Sequence, residues 1–122
     1  MAKILEVCVD SYASAMAAIA GGADRLELCS ALAVGGLTPS PALLEQIRQV
    51  SNIPVRCLMR TRGGDFLYTK EEILQMAAEI RMLRSAGADG LWIIAFNCSF
   101  YKLSNRTYTQ NYWHISQLIH FT

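Results

Sequence analysis

The sequence has no apolar run of the roughly 18 residues that a membrane-spanning helix needs. It also has no excess of charge of either sign, because 11 basic residues nearly balance 10 acidic ones and leave a net charge of +1. That balance gives no electrostatic basis for binding nucleic acid or an anionic membrane. No signal-peptide pattern precedes the first predicted strand. These absences predict a cytoplasmic protein without a nucleic-acid or membrane partner.

No Cys-x-x-Cys pair occurs among the four cysteines, which lie at positions 8, 29, 57 and 98. This spacing is not typical of a zinc site or of a disulfide framework. Cys8, Cys29 and Cys57 each lie in an apolar, strand-like run, where a cysteine is most often a small buried residue. We therefore expect free thiols.

Apolar residues, by contrast, make up 52% of the 122 residues, enough for the core of one domain. Their spacing predicts strands over residues 3–9, 24–29 and 90–96, and another from Pro54 onward. Predicted helices begin at Ser11, at Ser40-Pro41 and at Thr69. The order β-α-β-α-β-α-β predicts a parallel α/β sheet. The pattern alone leaves open whether that sheet closes into a barrel.

A short internal echo supports a repeated strand–helix unit. Gly22-Ala-Asp-Arg-Leu26 recurs as Gly87-Ala-Asp-Gly-Leu91, each time between a helix and the next strand. The two copies are separated by two strand–helix units, which is the length such a repeat requires.

The composition changes at Asn97. Residues 97–122 contain no Gly, Pro, Ala, Asp or Glu, yet they hold six of the eleven aromatic residues and both histidines. A fifth strand–helix unit would need a turn and a capped helix, and this segment has only a weak helical spacing of apolar residues: Tyr112, Ile115, Leu118 and Ile119. We therefore treat residues 97–122 as an atypical tail.

Charge is densest in the segment from Pro54 to Tyr68, where a strand ends in a sharply bending loop. Arg60, Arg62 and Asp65 surround a Gly-Gly pair that lets a ligand approach the backbone closely. The carboxyl ends of parallel strands are where α/β proteins usually bind ligands. The alternative is a solvated turn with an Arg–Asp surface pair.

Strand alternation places further polar residues on common faces. If the faces of neighbouring strands coincide, five side chains converge: Glu6, Cys8, Glu27, Cys29 and Arg60. Carboxylates facing guanidinium groups suit the binding of a polar or anionic small molecule and general acid–base catalysis. The alternative is an ion-pair network that fills a barrel interior. Asp10, which follows the first strand, is either a site residue or a helix N-cap.

Cys8 and Cys29 also permit a metal site. Neighbouring strands lie about 4.8 Å apart, so cysteines on one face can place both sulfurs on one ion. Two thiolates form a soft site that favours Cu(I). The alternative is that both cysteines are simply packed.

Five motifs in order over residues 3–95 resemble the CutC copper homeostasis family. They are Glu6-Val-Cys-Val-Asp-Ser11, Gly21-Gly-Ala-Asp-Arg-Leu-Glu-Leu-Cys-Ser30, Gly35-Gly-Leu-Thr-Pro-Ser40, Arg60-Thr-Arg-Gly-Gly-Asp-Phe-Leu-Tyr68 and Gly87-Ala-Asp-Gly90. The resemblance implies a TIM-type (β/α) barrel, a cytoplasmic location and a homo-oligomer.

A full barrel of that type needs eight strands and typically about 250 residues. We therefore predict an incomplete α/β barrel with only the first four strands and three helices. Residues 1–96 would form the N-terminal half of a CutC-like barrel. Residues 97–122 would be poorly ordered or arise from a shifted reading frame. Two strand edges would then be left open to association.

The resemblance also implies intracellular Cu(I) handling, with Cys8 and Cys29 matching the cysteines proposed as copper ligands in the family. It places charged residues at the barrel mouth: Glu6, Glu27 and Arg60 as catalytic groups, and Asp10, Arg62 and Asp65 as ligand-binding groups. An alternative function is the remnant of an uncharacterised TIM-barrel enzyme acting on a small polar or anionic metabolite. A third is a non-functional fragment. Whether the chain is an enzyme therefore stays open at this stage.

Overall fold

The computed structural model describes residues 2–94 and 116–120. Four parallel strands alternate with three helices: β1 (Glu6–Val9), α1 (Tyr12–Ala20), β2 (Arg25–Leu28), α2 (Pro41–Val50), β3 (Val55–Met59), α3 (Lys70–Ser85) and β4 (Gly90–Ile94). A further strand, β5 (Ser116–His120), pairs with β4. The strand order is β1-β2-β3-β4-β5. The four parallel strands and three helices confirm the predicted incomplete TIM-type architecture.

The antiparallel strand β5 is the main departure from the sequence prediction. It pairs with β4 from Gly90↔His120 to Ile94↔Ser116. The helical spacing assigned to Leu118 and Ile119 is therefore wrong, because the β4 ladder holds their backbone extended. The edge of β4 is therefore paired, and β5 is the last described strand of the sheet on this side. The rest of the tail lies outside the described residues, so its poor order or shifted frame stays a prediction.

The first strand is shorter than predicted, because a side chain takes the place of a strand partner at its start. The backbone N–H of Leu5 donates to the Asp24 carboxylate at 2.7 Å, so β1 starts at Glu6 rather than at Lys3. Residues 95 and 96 of the predicted fourth strand lie outside the described residues. None of the described helices is long and apolar enough to cross a membrane.

The core lies between the three helices and one face of the sheet. Alternate strand residues point into it and are buried: Val9, Leu26, Leu28, Val55, Cys57, Met59, Leu91 and Ile93. The helices contribute Ala15, Leu44, Ile47, Met76 and Leu83. Each large aliphatic side chain buried in this way contributes about 1.5–3 kcal/mol through removal from water. Because the apolar strand residues face the helices, the polar strand residues lie on the opposite face of the sheet.

The helix starts follow the sequence signals. Ser11 caps α1 by accepting a hydrogen bond from the Ser14 N–H at 3.0 Å, so the N-cap is Ser11 and not Asp10. Thr69, where the sequence predicts a helix to begin, forms a reciprocal capping box with Glu72 at the start of α3. Asp10 is therefore exposed at the end of β1 without a capping role.

The Gly-Ala-Asp echo is a repeated turn that joins a helix to a strand. Gly22 and Gly87 both have positive φ, at +92° and +105°, which glycine adopts without strain. In each copy the aspartate accepts a hydrogen bond from a backbone N–H where the neighbouring strand begins. Asp24 accepts from Leu5, directly before β1, at 2.7 Å, and Asp89 accepts from Val55 of β3 at 2.8 Å. The repeated turn therefore aligns the starts of two adjacent parallel strands in the same way each time, β1 with β2 and β3 with β4.

The second copy of this turn is tied to α2. Arg48 of that helix donates from Nε to the Gly87 carbonyl at 2.8 Å. Its other nitrogens contact the Asp89 carboxylate and the Ile53 carbonyl. One guanidinium therefore links α2, the segment before β3 and the turn before β4.

We predict that Asp89→Ala lowers the free energy of unfolding by about 1–3 kcal/mol, because the N–H of the buried Val55 loses its acceptor. Asp89→Asn keeps an acceptor oxygen and should cost less. Urea denaturation followed by circular dichroism measures both losses.

The matched control is Asp24→Ala, which removes the equivalent bond from the exposed end of β1. Water can replace that acceptor, so we expect a loss of only about 0.5 kcal/mol. Equal losses for Asp24→Ala and Asp89→Ala would contradict this account.

Candidate functional site

The strand face opposite the helices carries the candidate site. The register places Glu6 beside Arg25, Cys8 beside Glu27, and Glu27 beside Arg56. Parallel pairing without a shift keeps all of these side chains on one side of the sheet. The structure therefore brings together Glu6, Cys8 and Glu27, as strand alternation predicts.

Glu6 is the anion of an ion-pair network on this face. Its Oε2 contacts Arg25 Nε and lies 3.3 Å from an Nη of Arg56. Arg56 is only 7% exposed, and its guanidinium lies 5.9 Å from the Trp92 ring centroid. A charge this deeply buried needs a counter-charge. Glu6 therefore has a structural partner role, which matches the ion-pair alternative rather than an open catalytic carboxylate.

Glu27 differs from Glu6 although both lie on the same face. No residue in the described part of the chain forms an ion pair or hydrogen bond with its side chain. Burial raises the pKa of the Glu27 carboxyl, and the negative charge of Glu6 raises it further. A half-buried carboxyl of this kind is suited to proton transfer.

The Cys8 and Cys29 sulfurs lie 3.6 Å apart on adjacent strands. Cys8 is exposed, whereas Cys29 is buried and its Sγ also approaches the Val9 carbonyl at 3.6 Å. Burial raises the pKa of the Cys29 thiol to about 12, and the neighbouring Cys8 raises it as well. Burial also raises the pKa of the Cys8 thiol. The hydrogen bond with Cys29 lowers this pKa, but the effect of burial is larger. Both thiols are therefore protonated near neutral pH.

The geometry of this thiol pair suits a shared ion better than a disulfide. Cys29 lies two residues beyond the register partner of Cys8, so the Cα atoms are roughly 8 Å apart from strand spacing and rise. Disulfides need Cα atoms within about 7 Å. Metal–sulfur bonds of about 2.3 Å, in contrast, let two sulfurs 3.6 Å apart hold one ion.

The donor set of this pair selects for a soft cation. No cluster of three or more His, Cys, Asp or Glu side chains that could hold a metal occurs within residues 2–94 and 116–120. Thiolate sulfur is a soft ligand, so a pair of thiolates suits Cu(I) better than the hard cations Ca²⁺ and Mg²⁺, which take oxygen ligands.

Arg60 lies at the end of β3, but its guanidinium is directed into two loops. It donates to the carbonyls of Val34 at 2.9 Å, Gly36 at 3.2 Å and Gly64 at 3.2 Å, and it lies over the Phe66 ring. None of these partners is Glu6 or Glu27. The structure therefore places Arg60 as a link between the β2–α2 and β3–α3 loops.

The glycine pair before α2 makes this link sterically feasible. A Cβ on Gly35 would lie 3.1 Å from an Nη of Arg60, and a Cβ on Gly36 would lie 2.9 Å from Leu58 Cδ2. Both glycines also have positive φ. The Gly35-Gly36 pair in the sequence indicated a close approach to the backbone. It did not indicate that Arg60 is the side chain that packs there.

Arg62 organises the charged loop after β3. Its Nε donates to Glu72 at 2.6 Å, and one Nη donates to Asp65 at 3.2 Å and to the Leu67 carbonyl at 2.7 Å. The guanidinium also lies 5.2 Å from the Tyr68 ring centroid. Hydrogen bonds hold the pKa values of Asp65 and Glu72 below their usual range, chiefly from the Leu67 N–H and from Arg62 respectively.

Sequence reasoning missed part of this site. Glu72 was not identified as a site residue, although it caps α3 and is also a close ion-pair partner of Arg62. Arg56 and Trp92 were not singled out as site residues, and they form one end of the ion-pair network. The signal for Arg56 was its charge within an otherwise apolar strand, which requires a buried counter-charge.

Comparison with known proteins agrees with this architecture. The CutC family model matches residues 3–100. A copper homeostasis protein cutC homolog from Homo sapiens is 54% identical over 88 residues, which is 72% of this chain and 32% of the relative. A Drosophila melanogaster protein of the same name is 52% identical over 87 residues, 70% of this chain and 33% of the relative.

A crystal structure of a CutC protein from Streptococcus agalactiae superposes with a TM-score of 0.70 at 29% identity. The match covers 79% of this chain and 48% of that one. The chain thus spans about a third of the length of the curated relatives it matches. The match to the family model over most of the chain confirms the resemblance seen in the motifs: the chain belongs to the CutC family.

Proposed function

We propose that this chain contributes to copper homeostasis by binding one Cu(I) ion between Cys8 and Cys29. The observation that carries the proposal is the 3.6 Å separation of the two sulfurs on adjacent strands. The human and Drosophila relatives are named as copper homeostasis proteins. The absence of a third ligand in the described residues favours a soft monovalent cation over zinc.

The unequal exposure of the two thiols suits capture and release of an ion. Cys8 is exposed and meets an incoming ion first, whereas Cys29 is buried and completes the site. The carboxylates of Glu27, Asp10 and Glu6 lie close enough to act electrostatically on Cys8 and favour a cation there. A reducing, cytoplasmic location fits this chemistry, because it keeps both thiols free.

A second candidate function is that of an enzyme, or its remnant, acting on a small polar or anionic metabolite. The observation that favours it is Glu27, a half-buried carboxyl without a partner among the described side chains. In this function Glu27 transfers a proton, Glu6 stays in its ion-pair network, and Arg60 and Arg62 shape the loops beside the ligand. Asp10 and Asp65 are exposed and follow the carboxyl ends of β1 and β3, where they could contact such a ligand.

We predict that the wild-type chain binds one Cu(I) in competition with a chromogenic chelator, and that Cys8→Ser or Cys29→Ser weakens binding by more than 100-fold. Loss of a ligand should exceed the roughly 10–100-fold effect of losing a supporting residue. Cys57→Ser is the matched control, because Cys57 is a buried thiol on the opposite face of the sheet.

Circular dichroism checks that each variant folds. Unchanged stoichiometry and affinity in both Cys8→Ser and Cys29→Ser would exclude the copper site. An equal loss in Cys57→Ser would show that the effect comes from stability and not from the sulfur pair.

The Cu(I) affinity is expected to rise with pH. Both thiols have raised pKa values, Cys29 to about 12, so they carry protons that a metal must displace. Each displaced proton adds about one logarithmic unit of apparent affinity per pH unit. Chelator competition between about pH 6 and 8 should give a slope near two for the wild type and near one for Cys8→Ser. A slope near zero in the wild type would contradict thiolate ligation.

For the enzyme candidate, we expect that a small metabolite binds the chain and raises its melting temperature. The pH dependence of its affinity should differ between the wild type and Glu27→Gln. The amide keeps the shape of the side chain but cannot exchange a proton. A thermal-shift screen of small carboxylates and phosphates finds the ligand, and calorimetry at several pH values measures the change. Identical pH profiles would remove Glu27 from this role.

A further inference from the structure

The indole N–H of Trp92 is a buried hydrogen-bond donor that has no acceptor in the described part of the chain. A buried donor without an acceptor is unfavourable, so it marks a place where an acceptor is expected. The Trp92 side chain as a whole is partly exposed, so a small molecule can reach the ring. The copper site at Cys8 and Cys29 makes no use of this donor.

Glu27 is a second polar side chain on this face with no hydrogen bond or ion pair to another described residue. It pairs in register with Arg56, and Arg56 pairs with Gly90. Trp92 follows Gly90 by two residues and therefore lies on the same face. Strand spacing and rise place the Cα atoms of Glu27 and Trp92 roughly 12 Å apart. Because both side chains extend from their strands, one small ring molecule can span the remaining distance.

An apolar surface lies beside these two polar groups. Leu58 is the register partner of Trp92, and both side chains are partly exposed. Gly36 packs against Leu58 from the loop side, since a Cβ on Gly36 would lie 2.9 Å from Leu58 Cδ2. A few polar groups beside aromatic and aliphatic side chains are typical of small-molecule sites.

The charges around this surface disfavour an anionic ligand. Arg25 and Arg56 both contact the Glu6 carboxylate, so each arginine already has a counter-charge. Glu27 and the exposed Asp10 add two further carboxylates near the same ends of the strands. An anion would meet their repulsion, whereas a neutral molecule with hydroxyl groups would not.

We propose that the face formed by Glu27, Leu58 and Trp92 binds a neutral polyhydroxylated ring molecule of the monosaccharide class. One ligand hydroxyl accepts a hydrogen bond from Trp92 Nε1–H, and another donates to the Glu27 carboxylate. The C–H surface of the ligand packs on Leu58 and on the indole ring. The proposal rests on the second candidate function and narrows its polar or anionic metabolite to a neutral one.

Proton–nitrogen correlation NMR on the full chain tests the proposal, because each indole N–H gives its own resonance. The chain has two tryptophans, so the spectrum of Trp113→Phe assigns the Trp92 signal. The probes are glucose, ribose and inositol, with glucuronate and inorganic phosphate as anionic comparisons. We expect a saturable downfield shift of the Trp92 indole signal with at least one neutral probe, and a weaker response to both anions.

Two variants separate the roles of the polar groups, with affinities measured by saturation-transfer NMR of the probe. Trp92→Phe keeps an aromatic ring but removes the donor, and we expect it to weaken binding about 5-fold. Glu27→Gln replaces a charged acceptor with a neutral one and should weaken binding by about 10-fold. The matched control is Glu45→Gln, an exposed carboxylate on α2, which should bind like the wild type.

The proposal is overturned if no neutral probe shifts the Trp92 indole signal, or if only the Trp113 signal responds. Unchanged affinity in Glu27→Gln, or an equal loss in Glu45→Gln, would also refute it. Tighter binding of glucuronate or phosphate at Trp92 would reject the neutral ligand class and leave the enzyme candidate standing. If Trp92→Phe fails to fold, the wild-type titration and Glu27→Gln decide.

Discussion

The buried charge of Arg56 is the constraint on which the polar face of the sheet depends. A guanidinium in the middle strand of a parallel sheet has little access to water, so it must meet a counter-charge within the protein. Glu6 supplies that charge and is shared with Arg25. The carboxylate nearest in register, Glu27, is thereby left without an ion-pair partner among the described residues. The need to neutralise Arg56 thus gives the two glutamates different roles. Glu6 is a structural ion-pair partner, whereas Glu27 is available for chemistry.

The charged loops at the carboxyl ends of the strands are held together from within. Arg60 connects the loop before α2 to the loop after β3, and Arg62 gathers Asp65 and Glu72 around a single turn. Both guanidinium groups are thus held largely within their own loops, although Arg60 Nε is buried without a hydrogen-bond partner. On the described sheet face, Glu27 is the group suited to proton transfer, and the thiol pair of Cys8 and Cys29 is the group suited to copper.

An incomplete barrel has edges that a closed barrel lacks. Here the edge of β4 is paired with β5, an antiparallel strand in the position where a complete barrel would continue with a parallel one. The edge of β1 keeps its outward backbone groups and its exposed aliphatic side chains. The stability of the chain therefore depends on how each edge is covered, in addition to the core that the helices form.

Local patterns in the sequence predict the four parallel strands, the three helices with their starts at Ser11 and Thr69, and the shared face of Glu6, Cys8 and Glu27. These features follow from local periodicity and short-range hydrogen bonds, which a linear pattern records. Long-range packing, in contrast, sets the pairing of Glu6 with Arg56, the direction of Arg60 into the loops, and the strand that residues 116–120 form on β4. Each of those outcomes joins segments far apart in the chain, where several partners of suitable charge or shape compete and the register of the sheet selects one.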